Sequence, residues 1–174
     1  MSLTIRPATL ADILAITRIY GDSVTHATAS FELEPPDEAE MSRRMLALLD
    51  GGFPYLAADA GGTLAGYAYA GPFRARPAYR FTVENSVYVA PDQQRRGAGR
   101  ALLAALIEAC EARGFRQMIA VIGDSTKQQA SMGFHAALGF KHIGILPDVG
   151  FKHGRWLDSV LMQRALGPGG TREP

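Results

Sequence analysis

The sequence holds one cysteine, one tryptophan and almost no net charge, +1 at neutral pH. A lone cysteine, Cys110, excludes a disulfide framework within the chain and fits a reducing, cytoplasmic setting. Its surroundings, "LLAALIEAC", make it buried packing rather than a nucleophile. Charge balance removes the bulk attraction that draws a protein to nucleic acid or to an anionic membrane. No apolar run approaches the roughly 18 residues that span a bilayer. The opening "MSLTIRPATLADI" has no basic segment followed by an apolar core, so no signal peptide is expected. Internal repeats are missing too. The one low-complexity piece is "GPGGTREP", residues 167–174, expected to be a flexible tail.

What is present is a chain of 174 residues, 47% of them hydrophobic, which suits one core. A single domain over residues 1–166 is expected. "LTIRPA" reads as a strand. Thr9 and Asp12 form a partial capping box before Ile13, Ile16, Tyr20 and Val24 at helical spacing. A second helix begins near Pro36 and Asp37, with Met41, Met45, Leu48 and Leu49 on its apolar face. "PYLAADAGGTLAGYAYAG" is a hairpin turning at Gly61–Gly62, and "PFRARPAYR" a loop. "FTVENSVYVA" is a strand that Pro91 ends. A helix follows Gly99 and stops at Gly114. "RQMIAVIGD" is a strand, 128–138 a helix, and "KHIGIL" and "WLDSVLMQRAL" the last two strands. The order β-α-α-β-β-β-α-β-α-β-β predicts an α/β (α+β) fold. Its sheet is mixed, with helices packed on it.

The segment "VYVAPDQQRRGAGRALLAALIEACEARG" joins a strand to a helix through two glycines and three arginines. Such a turn binds an anion: glycines let the backbone approach, and the helix N-terminus presents N–H groups at its positive end. A nucleotide phosphate loop would need Lys-[Ser/Thr] after the last glycine, where Arg100 and Ala101 stand. The dinucleotide fingerprint would need a third glycine or alanine, where Leu102 stands. A pyrophosphate held without metal by Arg95, Arg96, Gly97, Ala98, Gly99 and Arg100 fits.

The run from Gln94 to Gly99, Q-x-x-G-x-G after a strand, resembles the signature of the GNAT acetyltransferases. "SMGFHAALGF" is similar to that family's last cofactor helix, with Ser131 and His135 in place and Gln128 where the closest relatives carry Asn. "GPFRARPAYRFTVENSVYV" and "GFKHGRWLD" resemble the phosphinothricin and methionine sulfone/sulfoximine acetyltransferase subfamily, and the likeness covers nearly the whole chain. It implies a mixed, mostly antiparallel twisted sheet of about six to seven strands with helices on both faces, acetyl-CoA as co-substrate, no metal, and a homodimer. It implies pyrophosphate binding by the loop, pantetheine contacts from Gln128 and Ser131, and strand N–H groups at Val87, Tyr88 and Val89 that meet the acetyl carbonyl.

Amine acetylation needs a base, an oxyanion donor and a partner for the leaving thiolate. In "RFTVENSVYV", Thr82, Glu84, Ser86 and Tyr88 share one face. A carboxylate in mid-strand is either an exposed edge residue or a base. Glu84 is taken as the base, in agreement with the subfamily, and Asn85 and Ser86 beside it as substrate contacts. His135 is the candidate that donates to the thiolate or positions the thioester; the plain alternative is a structural histidine. Arg74 and Arg76 suit a substrate carboxylate, or are two solvated loop residues. Phe31, Tyr79 and Trp156 are candidate pocket walls, and Lys152 and His153 sit near the site or form a turn. The expected reaction is N-acetylation of a small amino-acid analogue. The alternatives are another amine (polyamine, aminoglycoside, protein N-terminus) and a non-catalytic acyl-CoA-binding module.

Overall fold

The computed structural model describes residues 3–174. Among them the elements follow the expected order. They are β1 (Leu3–Pro7), α1 (Ile13–His26), α2 (Glu38–Asp50), β2 (Tyr55–Ala60), β3 (Leu64–Pro72), β4 (Thr82–Val89), α3 (Ala98–Ala112), β5 (Gln117–Gly123), α4 (Gln129–Ala137), β6 (Lys141–Lys152) and β7 (Arg155–Ala165). The seven strands form one sheet in the order β1-β2-β3-β4-β5-β7-β6. Every neighbouring pair is antiparallel except β4–β5, which the α3 crossover makes parallel.

Local chemistry explains the helix ends. The Asp37 carboxylate accepts the Glu40 N–H at 2.9 Å and starts α2. Glu40 then holds Arg43 and Arg44 one turn on, each at 2.7 Å. Leu49 turns to solvent rather than joining Met41 and Met45 in the core. Asp12 accepts the Thr9 N–H at 2.8 Å and is clamped by Arg6, whose hydrogen bond keeps this carboxylate below its ordinary range.

Helices cover both faces of the sheet. On one, α1 and α2 bury Ile16, Ile19, Met41 and Met45 against Tyr55 and Tyr67. On the other, α3 buries Leu102, Leu103 and Leu106 against the alanines of β2 and β3. Cys110 is fully buried there, and desolvation pushes its thiol up to about 12, as packing rather than chemistry requires.

Two expectations need correction. β6 does not stop at Leu146. It runs on to Lys152 through a break in register between Leu146 and Gly150, with Asp148 left-handed at φ 51°. "PDVG" has turn chemistry, but here it is a bulge. The tail is also not free: Gly169 is buried, Gly167 N–H reaches Glu111, and Arg116 reaches the Glu173 carbonyl.

Candidate active site

The sheet forks. Pairing of β4 with β5 runs from Thr82–Gln117 to Asn85–Ala120 and stops, although both strands continue. Beyond that rung the backbone of Ser86–Val89 has no partner on the β5 side. A cavity of about 830 Å3 opens through the fork. The N-terminus of α3 forms one wall, α4 another, and the end of α1 with the loop carrying Phe31 a third.

Cross-strand register divides β4 between the two faces. Glu84, Ser86 and Tyr88 pair with Gly71, Tyr69 and Tyr67, so these six share the α1/α2 face. Glu84 is half-buried at the cavity wall, and burial raises its carboxyl above the ordinary carboxylate range. Among the described residues no cation compensates. Tyr69, beside it, was not singled out from the sequence, although its alternation with Tyr67 was visible.

At the opposite end lies the glycine turn. Arg95 and Gly97 are both left-handed, at φ 62° and 88°. The first intrahelical bond of α3 is Ala101 N–H to Gly97 O, so the amides before it find no carbonyl in the helix. A Cβ built on Gly97 would meet nothing within 4 Å: the space in front of it is open. Gly99 lines the cavity beside it. It packs against Val89 and Phe134, 3.4 and 3.6 Å from where its Cβ would stand, and so brings α3 close to β4 and α4. Arg95 and Arg100 reach the cavity, and Lys127 joins them; Arg96 does not line it and bonds Gln93 instead.

Lys127 and Gln128 are presented by the turn after β5. Its buried Asp124 is left-handed at φ 59°. Burial opposes that charge, but Thr126, Thr28 and Arg155 bond it and bring the carboxyl down to about 2. Asp158 on β7 accepts the Ser125 N–H at 2.7 Å and holds the same turn. No local motif announced this carboxylate pair, because one member lies in the turn after β5 and the other on β7.

His135 is buried, and each ring nitrogen faces a protein oxygen. Nδ1 is 2.8 Å from the Ser131 carbonyl and Nε2 is 3.0 Å from the Asn85 side chain. Burial lowers its pKa to about 4, against a smaller opposing effect from Ser131. A ring so engaged has no N–H free to aim into the cavity. The expectation that His135 donates a proton to a leaving thiolate is therefore corrected. Asn85 lines the cavity from the face opposite Glu84, turned toward His135 and β5.

Phe31 is a wall of the cavity, as expected. Its ring lies in a slot between Gly123 of β5 and Gly150 of β6, where a Cβ on either glycine would overlap it. Glycines inside strand patterns signal this kind of close approach. Lys152 is buried and donates to the Ser30 carbonyl at 2.6 Å, which holds the Phe31 loop from the far side. His153 and Gly154, at φ 51° and 73°, form the two-residue turn of the β6–β7 hairpin. Arg74, Arg76, Tyr79 and Trp156 do not line the cavity. Arg74 and Arg76 are exposed, and the Arg74 guanidinium stacks on Phe73 and Tyr79 at 5.0 and 5.5 Å. Trp156 is 61% exposed on β7.

Comparison with known proteins agrees with this geometry. Residues 5–161 match the acetyltransferase (GNAT) domain family. A phosphinothricin N-acetyltransferase from Alcaligenes faecalis is 53% identical over 171 residues, 98% of this chain and 86% of that protein. An L-methionine sulfoximine/L-methionine sulfone acetyltransferase from Pseudomonas paraeruginosa is 44% identical over 169 residues, 97% of each. The crystal structure of a GNAT superfamily phosphinothricin acetyltransferase from Sinorhizobium meliloti, in complex with AcCoA, superposes with a TM-score of 0.96. It is 48% identical, over 100% of this chain and 94% of that one. A chain that shares nearly its whole length and its fold with such proteins belongs with them: this protein is a member of the GNAT acetyltransferase family.

Proposed function

We propose that the protein transfers the acetyl group of acetyl-CoA to the amino group of a small amino-acid analogue, of the phosphinothricin or methionine sulfone/sulfoximine class. The observation that carries the reading is the fork. It puts a desolvated carboxylate, Glu84, and an unpaired strand edge, Ser86–Val89, in one cavity with an anion-binding helix end. Acetyl-CoA fits this cavity: its pyrophosphate suits the open space before Gly97 and the free amides of α3, and Arg95, Arg100 and Lys127 supply charge. When bound, it supplies an activated thioester.

The residues of this chain then divide the work. Glu84 takes a proton from the attacking amine, so that the nitrogen lone pair can form the new N–C bond as the C–S bond breaks. The freed N–H groups of β4 stabilise the carbonyl oxygen as it becomes negative. The departing thiolate, a base of pKa about 8.5 for an ordinary thiol, takes its proton from water in the open cavity. Support for the substrate class comes from these two relatives, a phosphinothricin N-acetyltransferase and an L-methionine sulfoximine/L-methionine sulfone acetyltransferase.

The test is release of free thiol from acetyl-CoA over a panel of amines. Phosphinothricin, methionine sulfone and methionine sulfoximine should be turned over. The decarboxylated amine of methionine sulfone should lose about 10- to 150-fold in kcat/KM, the worth of one charge-assisted bond. Preference for polyamines would replace this reading; binding without turnover of any amine would make the protein an acyl-CoA-binding module.

A homodimer is part of the proposal. The edge strand β6 exposes Ile143, Ile145, Leu146, Val149 and Phe151, with Trp156 beside them on β7. An apolar edge of this size is a liability unless another surface covers it. Sedimentation should give the mass of two chains, and Ile145→Lys with Val149→Lys should give that of one.

A further inference from the structure

The contacts of His135 form a chain. The Ser131 carbonyl meets Nδ1 at 2.8 Å, Nε2 meets Asn85 Oδ1 at 3.0 Å, and Asn85 Nδ2 donates to the Ile119 carbonyl at 3.1 Å. The chain therefore runs from α4, through one side chain of β4, to the backbone of β5. Asn85 occupies the last rung on which β4 and β5 pair; the next residues line the fork. Phe134 and Phe140 flank the ring at 4.8 and 4.9 Å. The core on that side, from α3, β5 and α4, is apolar. No charged group of these elements perturbs the ring, and Glu84 lies on the other face of β4.

A neutral imidazole carries one hydrogen. With it on Nε2, the ring donates to Asn85 Oδ1 and the Asn85 amide stays turned toward Ile119, while Nδ1 faces the Ser131 carbonyl without a hydrogen to give it. With it on Nδ1, the ring donates to Ser131, and the amide must reverse to donate to Nε2, giving up Ile119. In both forms the histidine spends its hydrogen inside the chain of contacts. The cavity gets none.

We propose that Asn85 and His135 are a positioning pair that sets where β4 and β5 part, and with it the placement of the β4 amides that receive the acetyl thioester. The inference rests on the acetyl-transfer reading for its kinetic part alone; direct binding of acetyl-CoA tests it without any amine. Neither side chain moves a proton in the reaction. Asn85 ties the last rung shut, and His135 stops the amide from turning. A glutamine in place of the histidine keeps a donor and an acceptor at the end of its side chain and cannot titrate, so His135→Gln separates positioning from acid chemistry.

Acetyl-CoA affinity is measured by calorimetry, and kcat, KM and their pH profiles by thiol release, for Asn85→Leu, Asn85→Ser, His135→Phe and His135→Gln. Circular dichroism checks each fold, and Asn85→Ser stands in if Asn85→Leu fails to fold. His135→Phe and the Asn85 variants should weaken acetyl-CoA binding about tenfold and lower kcat, with the pH profile unmoved. His135→Gln should recover most of both. Combining His135→Phe with either Asn85 substitution should lose no more than the single changes do, because one tie is broken once. The pair is overturned as a positioning device if His135→Gln falls as far as His135→Phe, if it moves the alkaline limb of the profile, or if the Asn85 variants bind and turn over like the wild type. A wild type that binds acetyl-CoA but acetylates no amine would sink the functional reading and leave the binding comparison intact.

Discussion

Glu84→Gln should lower kcat by roughly 10²–10⁴-fold at neutral pH, the usual worth of a positioned base. The glutamine keeps the shape of the side chain and removes the acceptor for the amine proton. The loss should shrink as pH rises, because more of the amine is then already neutral. In the wild type, activity should fall on acidification through the raised pKa of Glu84, at a pH above the ordinary carboxylate range, since burial disfavours the charged form. The sign for stability is the reverse of that for activity. A carboxyl whose folded pKa lies above its unfolded value favours folding below the unfolded pKa. That contribution disappears as pH rises through the folded one. At pH 7 the carboxylate is thus a cost to the fold, so Glu84→Gln should raise the melting temperature while it lowers activity. A variant with wild-type kcat at pH 7 would make Glu84 structural.

Gly97→Val should raise the KM for acetyl-CoA by about 10- to 100-fold with the fold intact by circular dichroism. The turn holds Gly97 at φ 88°, where a β-branched residue is a steric outlier costing about 1–2 kcal/mol. Relief requires the turn to move, and with it the first amides of α3 and the Arg95 and Arg100 side chains. Each charge-assisted bond to the pyrophosphate contributes about 1.5–3 kcal/mol, and about 1.4 kcal/mol is tenfold in affinity. The valine also projects into the open space before Gly97, which the pyrophosphate would occupy. The KM for the amine should change far less, since Glu84 and Phe31 lie at the other end of the cavity. Unchanged affinity for acetyl-CoA would remove the loop from the binding site.

Local patterns in the sequence determined the element order, the glycine turn that opens α3 and the mid-strand carboxylate. Periodicity, caps and turn glycines act over a few residues and do not depend on the rest of the chain. The continuation of β6 through Pro147–Gly150 is not legible locally, for the complementary reason. Its residues prefer a turn, and only the pairing of β6 with β7 on either side carries the strand across. The same limit explains the site. Alternation placed Glu84 and Tyr88 together, but which face Asn85 serves depends on where β4 parts from β5. The roles of His135, Lys152 and the Asp124–Asp158 pair come from partners 31 to 122 residues away in sequence. Arg74 and Arg76 had the right chemistry for a carboxylate. What the sequence lacked was a distance, and the fold of the single chain put them outside the cavity. Side-chain type is local information; convergence on a site is decided by which strands pair, and where they stop pairing.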